Sequence, residues 1–598
     1  MYFRTKSIKG SQLVQLVHSY RNAEGLPRQR VIASLGDAKL PEAEKYLIAR
    51  AVDRRLHGLE DFFEASLSSE AAAWVDRIVR LADRSQSARP VPQTTVDGVV
   101  VDSINTTDVV ELGPELVALK AWEELQFTPM LESLGMNPSA IATAQLMISN
   151  RLIEPLSEWA LIDWSHRTAL PEILDIRITK SSKDRLYRIS DELMTHRQDI
   201  EAALRKREQD LFSLTRSVIL YDVTNTHFEG LCASNPKARH GKNKQHRNDC
   251  RQVAVGIAFD ENGFPLAHET FEGNMADTKT LPIILDRLDR YGDGLKPVVI
   301  LDAGFASRAN LALLKDRGYS YIINITRGSR SKYADSFEKE TFAPLPGRSD
   351  EQRVEVKRIA DPEDSDSQLV LCRSTQRRMK EEAMISSAEK RFLAAAEALA
   401  KSIEKGAFKR ASVIERKIGA LQKRHARTAR FYTLKHSAGR LEVIRDEEKM
   451  KSAIAQCGDY VLKTDKTLGP VQLWDLYMTL LQAESGFAQI KGPLGLRPNF
   501  HQLEDRVDGH IFISVLAYHL LRWITKRLED HNDTRQWQTL RRILSTHSLV
   551  TTELQHEDNR TLHIRKASKP DEEQKRIYQM LGIDWKTAFP TKKTELKA

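Results

Sequence analysis

Ser217-Val218-Ile219-Leu220-Tyr221-Asp222 is an apolar run closed by an acid, and it reads as a buried strand that delivers a carboxylate at its end. Two further strands are expected over Gln252–Asp260 and Pro265–Phe271, joined by the hairpin turn Glu261-Asn262-Gly263. Thr278–Tyr291 carries helical periodicity. Val298-Val299-Ile300-Leu301-Asp302 is a second apolar run closed by an aspartate, followed by a predicted helix over Ser307–Arg317 and a strand over Tyr319–Ile325.

The order is therefore β-β-β-α-β-α-β, with an aspartate on the first and fourth strands. That order and those acid positions are what a ribonuclease-H-like core requires, so the expected fold class is mixed α+β and α/β. Further along, Leu473, Leu476, Leu480, Leu481, Phe487 and Ile490 recur at helical spacing, predicting one amphipathic helix that Gly492-Pro493 stops. Tyr477, Glu484 and Lys491 stand seven residues apart on it, two turns each, and share a face. On an arbitrary helix a salt-bridged surface stripe would explain them. With Asp222 and Asp302 upstream, Glu484 becomes the third acid of a set. Three carboxylates suit the hard oxygen coordination of Mg²⁺ or Mn²⁺ in two-metal phosphodiester chemistry. They lie too far apart in sequence for a local metal loop, so only the fold can bring them together.

The rest of the chain divides around this core. Residues 1–92 read as a small β/α module: strands at Gln12–Val17 and Arg30–Leu35, helices from Pro41 to Leu56 and from Ser69 to Asp83, and a linker over Ser85–Gln93. Its readings are a DNA-end binder, a subunit contact or an N-terminal cap. Residues 98–216 open with a short strand, Val99–Val101, and continue as helices over Glu115–Leu134, Ala140–Asn150, Glu158–Trp164 and Asp184–Thr215, the last broken near Arg197. This mainly helical region is a candidate for DNA-end binding. Residues 217–326 form the first part of the core, 327–470 a mixed α/β insertion domain, and 471–530 complete the core with the glutamate helix. The insertion carries strands and a basic helical hairpin, Arg377–Arg424, broken near Gly406. Residues 531–598 read as a mixed tail.

The 598 residues hold 91 Lys and Arg against 82 Asp and Glu, a formal charge of +9 that suits a polyanionic partner. Cys232, Cys250, Cys372 and Cys457 form no CxxC pair, which argues against a disulfide framework or zinc site and fits a reducing cytoplasm. His240 and His246 miss zinc spacing, and no Gly-rich phosphate loop or Ser/His/Asp order is present. No apolar run is long enough to span a bilayer and the N-terminus lacks a signal core, so no membrane partner is expected.

The helix matches the signature Tyr-x2-Arg-x3-Glu-x6-Lys at Tyr477, Glu484 and Lys491, with Leu480 in place of the arginine. Asp222-Val223-Thr224 and Asp302-Ala303-Gly304-Phe305 look like first and second aspartate motifs. Gly273-Asn274-Met275-Ala276-Asp277-Thr278, Leu496-Arg497-Pro498-Asn499-Phe500-His501 and Arg506-Val507-Asp508-Gly509-His510 add further matches. Over roughly residues 100–585 the chain resembles bacterial insertion-sequence transposases of the DDE type. The resemblance implies a ribonuclease-H-like catalytic core with an insertion before the glutamate. It implies cutting of transposon ends and strand transfer into target DNA, with two Mg²⁺ ions (Mn²⁺ as substitute) held by Asp222, Asp302 and Glu484. It places Tyr477, Lys491, Arg497 and His501 on DNA, Arg497 or Lys491 supplying the charge Leu480 lacks. The implied partners are double-stranded DNA, as terminal inverted repeats and target, and a second copy of the chain on paired ends, in the bacterial nucleoid. The alternatives are a host metal-dependent nuclease on the same fold and a non-catalytic DNA-binding derivative.

Overall fold

Alternation explains why the run before Asp222 is apolar on both faces. Val218 and Leu220 face one hydrophobic core, and Ile219 and Tyr221 face another on the opposite side of the same strand. The computed structural model describes residues 1–8, 11–21, 26–56, 67–86, 95–241, 247, 249–290, 296–326, 332–437 and 439–597. The chain forms two compact units, Met1–Thr107 with Thr552–Ile564 and Lys593–Ala598, and Asp108–Thr551 with Arg565–Lys592.

The second unit is built on a nine-stranded sheet. Its first five strands are β1 (Val218–His227), β2 (Gln252–Phe259), β3 (Pro265–Glu272), β4 (Val298–Leu301) and β5 (Ser320–Asn324). Helix α1 (Asp277–Arg290) follows β3 and α2 (Arg308–Asp316) follows β4. This is the β-β-β-α-β-α-β order read from the sequence. The antiparallel hairpin β2–β3 turns at Gly263 (φ +80°), where Asp260 Oδ1 accepts the Asn262 and Phe264 amides. β4 pairs in parallel with both β1 and β5. All eight residues of β2 are buried, and each fully buried aliphatic or aromatic side chain contributes roughly 1.5–3 kcal/mol.

The strands expected between 327 and 470 are present, but they extend this same sheet. With β6 (Ala343–Pro344), β7 (Val354–Ala360), β8 (Gln368–Ser374) and β9 (Asp459–Thr464), the strand order is β6-β7-β8-β9-β5-β4-β1-β2-β3. β9 pairs antiparallel with β5, so the open edge of β5 draws the segment into the core. What stands apart is the helical hairpin α3 (Thr375–Glu404) and α4 (Ala411–Arg424), with a small core of its own around Phe392, Ala396, Tyr432 and Met450.

Boundaries differ from the sequence reading in several places; the helix read over Glu115–Leu134 is two, Gly113–Glu124 and Phe127–Ser133, parted by Gln126 at φ +55°. β1 continues five residues past Asp222 because Val223–His227 keep pairing with β2 after β4 has ended. The helix read over 473–491 is two helices, α5 (Pro470–Met478) and α6 (Leu480–Lys491). At Thr479 the backbone stays helical, but its N–H bonds back to Leu476, three residues away, and its hydroxyl donates to the same carbonyl at 2.6 Å. The strand at Val99 runs to Glu111, its outer residues pairing beyond the apolar triplet that marked it.

Helix α7 (Glu504–Glu529) is buried along nearly its whole length and packs against Gly113–Glu124, Pro138–Ile153 and Lys183–Thr195. The helices of the 98–216 region are thereby core elements of the second unit. Of the two buried histidines of α7, His519 pairs with Glu208, its Nδ1 lying 2.5 Å away. The first unit holds a sheet of Tyr2–Ile8, Ser11–Arg21 and Pro27–Ser34, packed on helices Lys45–Leu56 and Ser69–Gln86 around Leu16, Ile48, Val52, Val75 and Ile78. Most of the expected linker Ser85–Gln93, residues 87–93, lies outside the described residues, as does His246. The segment after 531 is ordered, with a helix over Trp537–Leu544 and strands over Ser548–His556 and Arg560–Ala567. Among the described residues no helix is long and apolar enough to cross a membrane.

Candidate active site

Register brings the two aspartates together. Tyr221 on β1 pairs with Leu301 on β4, so Asp222 and Asp302, the next residues, emerge side by side from neighbouring parallel strands. Asp222 follows the alternation of Val218 and Leu220, and Asp302 that of Ile300; all three apolar residues belong to the core that α6 and α7 cover. Asp302 Oδ1 accepts the Ala303 amide at 2.7 Å and starts a short 3₁₀ turn, which anchors one of its oxygens.

Helix α6 packs across β1 through Leu480, Ala483, Gly486, Phe487 and Ile490, with Phe487 edge-on to Phe259 at 5.4 Å. Glu484 lies off that buried face and is exposed. Tyr477, at the end of α5, is held near the sheet ends. Burial raises its pKa to about 12, and the charges of Asp302 and Glu484 push the same way, while a hydrogen bond from Asn324 opposes them. The phenol thus senses both the second aspartate and the glutamate. Asp222, Asp302 and Glu484 offer only carboxylate oxygens, the donor set that suits hard divalent cations.

A tighter ligand cluster lies elsewhere. Among the described residues, Glu158, His501 and His510 bring three ligand atoms within 4.8 Å of one another. A cation does not fit there. Arg151 Nη2 donates to His510 Nδ1 (3.2 Å) and His510 Nε2 donates to the Gly495 carbonyl (3.2 Å), so both ring nitrogens are engaged and a buried guanidinium faces the ring. His501 Nε2 pairs with Glu158 Oε1 at 3.2 Å. Burial works to raise the Glu158 pKa, but His501, His510 and Arg151 outweigh it and hold the carboxyl at about 2. The group clamps the Leu496–His501 segment to the helices.

The Transposase DDE domain family matches residues 213–520, just over half of the chain, and the IS1634 family transposase N-terminal domain matches residues 3–73. The chain belongs to the DDE transposases of insertion sequences. Among solved structures, this transposase is similar to the piggyBac transposase synaptic complex with hairpin DNA, with a TM-score of 0.33 and 10% identity over 69% of this chain and 70% of that one. It is also similar to the Mos1 transposase paired-end complex with left transposon end, with a TM-score of 0.14 and 10% identity over 47% of this chain and 78% of that one. No curated protein sequence matches it. Its activity is DNA cleavage and strand transfer in DNA transposition, by the divalent-metal chemistry characteristic of the family.

In the transposase, the residues read as DNA contacts fall into two settings. Lys491 closes α6 with its ammonium 5.3 Å from the Phe487 ring. Arg497 is half-buried near the end of β1; burial lowers its pKa, and with Arg247 it lowers that of His227, whose shift is led by burial. His501 is engaged with Glu158 and stands edge-on to Tyr187. Leu480 is 8% exposed and belongs to the core. Sequence reading passed over Asn324, the last residue of β5. Its only signal was a polar residue closing an apolar strand, which turns also produce.

Proposed function

We propose that Asp222, Asp302 and Glu484 are the catalytic acids of a ribonuclease-H-like core that holds two Mg²⁺ ions, with Mn²⁺ as a substitute. The observation that carries this is the Tyr221–Leu301 register, which sets the aspartates side by side on the face that the Glu484 helix covers. The ions, when bound, supply activation of the attacking oxygen and stabilisation of the leaving oxygen. Water cleaves the phosphodiester at the transposon end and leaves a 3′-hydroxyl. That hydroxyl attacks a target phosphate and displaces the target's 3′-oxygen, joining the strands. Tyr477, beside Asp302 and Glu484, orients the scissile phosphate.

The DNA end lies along the far end of β1. There the loop 228–234 is zipped to 499–502: Glu229 N donates to Asn499 O, Cys232 N to Gln502 Oε1 and Ser234 Oγ to Gln502 O. These loops expose Leu231 and Phe500, with Leu503 beside them, next to Arg247, Arg251 and Arg497. Apolar side chains among guanidinium groups suit both bases and phosphates. The stretch Arg377–Arg430, with fifteen Lys and Arg against six Glu, supplies a second basic surface for flanking or target DNA. Lys491 and His501 complete the set, His501 by holding the 496–501 segment in place. The working form is a homodimer on paired ends.

The test is incubation of the purified protein with labelled DNA carrying the flanking inverted repeats, in Mg²⁺ or Mn²⁺. Wild type cleaves at the repeat boundary and yields joined products. Asp222→Asn, Asp302→Asn and Glu484→Gln each bind the ends but lose cleavage by at least about 10³-fold. Cleavage retained in any one of them removes that residue from the site; cleavage without joining makes the protein a nuclease.

A further inference from the structure

We infer that Trp159, Tyr187 and Phe500, interleaved with Lys183 and Arg506, form a platform on which unpaired bases of the transposon-end DNA stack; this rests on the DNA path proposed above. The sequence concentrates cations here. Within Arg177–Arg188, Arg177, Lys180, Lys183, Arg185 and Arg188 stand against Asp184 alone, a balance that suits a polyanion. Tyr187 lies one turn after Lys183 on the helix Lys183–Thr195, so ring and ammonium share a face. Trp159 stands in the first turn of the helix Glu158–Trp164, whose start is fixed by Ser157 accepting the Ala160 amide at 3.3 Å. Phe500 lies in the segment just before α7, and Arg506 in the first turn of α7.

Tertiary packing joins these residues into one surface. Lys183 Nζ lies 5.6 Å from the centre of the Trp159 ring and 6.0 Å from that of Tyr187, and the Arg506 guanidinium lies 5.0 Å from the Tyr187 ring. His501, the neighbour of Phe500, stands edge-on to Tyr187 at 6.1 Å and pairs through Nε2 with Glu158, the neighbour of Trp159. Arg506 is held in turn by the Tyr187 carbonyl and by Asp191 at 2.9 Å. The rings nevertheless face solvent: Trp159 is 54% and Phe500 61% exposed. Single apolar side chains at a surface are ordinary. These are contiguous, held by a buried clamp and interleaved with cations. A closed duplex turns its phosphates outward and hides the faces of its bases, so cations alone would hold it; exposed rings add affinity for bases whose faces are free. A second copy meeting this face with its own would set like charges together.

The test measures binding by the full chain without divalent metal, so that no DNA is cut. The probes are a short oligothymidylate, an abasic strand of equal length and charge, and the terminal-repeat duplex. Wild type is expected to bind oligothymidylate at least about tenfold more tightly than the abasic strand. Trp159→Ala and Phe500→Ala are each expected to weaken oligothymidylate binding by about 5- to 100-fold with an unchanged salt slope, since a ring neutralises no phosphate. Trp159→Phe should stay within about threefold of wild type, because it keeps a stacking face. Lys183→Ala should instead lower the slope of log affinity against log salt by about 0.7. Oligothymidylate should quench tryptophan fluorescence more in wild type than in Trp159→Phe. Both alanine positions are more than half exposed, so these variants are expected to unfold at the wild-type temperature. Equal affinity for the abasic strand, wild-type affinity in both alanine variants, or equal quenching would each overturn the inference. So would self-association that Trp159→Ala abolishes while DNA binding is intact, which would give the face to a second copy. Arg497→Ala reports on the DNA path itself: unchanged duplex binding there would refute that path, and the comparison of intact and abasic strands would still decide the platform.

Discussion

Leu480 stands where the Tyr-x2-Arg-x3-Glu-x6-Lys signature carries arginine. One helical turn from both Tyr477 and Glu484, its side chain is turned inward among the apolar residues between α6 and the sheet. The position is a packing site in this protein, so its lack of charge leaves no gap at the DNA. Leu480→Arg is therefore expected to destabilise the fold by on the order of 3 kcal/mol, through a cation placed in an apolar core, and to leave cleavage no faster. Thermal unfolding and end cleavage check this together; a stable variant with faster cleavage would mean that the side chain can reach a phosphate. The candidate acids were legible as single residues because each aspartate ends an apolar run and the glutamate sits at a fixed offset from Tyr477. Asn324 was not, because a strand-ending asparagine looks like a turn until its register is known.

At the scale of the element, α6 works as a plate whose buried side is small where it must approach β2. A Cβ on Gly486 would meet the Tyr518 hydroxyl at 2.8 Å and the Phe259 ring at 3.1 and 3.2 Å. Gly486→Ala is thus expected to lift the helix, costing about 1–3 kcal/mol of stability and slowing cleavage more than it weakens end binding, because Glu484 rides on the displaced segment. Unfolding curves and single-turnover cleavage at saturating end DNA provide the check; unchanged cleavage would show that Glu484 tolerates the shift. The division of the helix at Thr479 was not legible, since Leu476, Leu480 and Phe487 keep helical spacing across it. The continuation of β1 was hidden for a related reason. After Val223 the residues Thr224–His227 are all polar, and only pairing with β2 makes them a strand.

The whole molecule stores buried carboxyls that set its response to pH. Burial, with Glu111 adding to it, pushes the Glu115 pKa up to about 8, although Thr168 donates to its Oε1 at 2.6 Å. Asp260 is raised to about 7, chiefly by burial. Each folded value lies above the ordinary carboxyl value, so these groups favour the folded state fully below pH 4 to 4.5, and that advantage is lost as pH rises through 7 and 8. Glu158, held at about 2, acts oppositely, its contribution disappearing as pH falls below 4.5 toward 2. Stability should therefore peak in mildly acidic solution. Glu115→Gln, which stays neutral, should gain on wild type between pH 5 and 8 by about 1.4 kcal/mol per pH unit. Denaturation at pH 5, 6.5 and 8 tests this; a difference that does not change with pH would mean Glu115 titrates normally.

The sequence by itself determined the order of elements along the first part of the core, the positions of three candidate acids and the family, because apolar alternation and motif spacing are local properties of the chain. Only the tertiary structure decided that the segment between Ile325 and the glutamate helix extends the core sheet, that Leu480 faces inward, and that Asn324 stands in line with Asp222 and Asp302. Those facts depend on pairing partners and register between residues far apart in the chain, which no local pattern encodes.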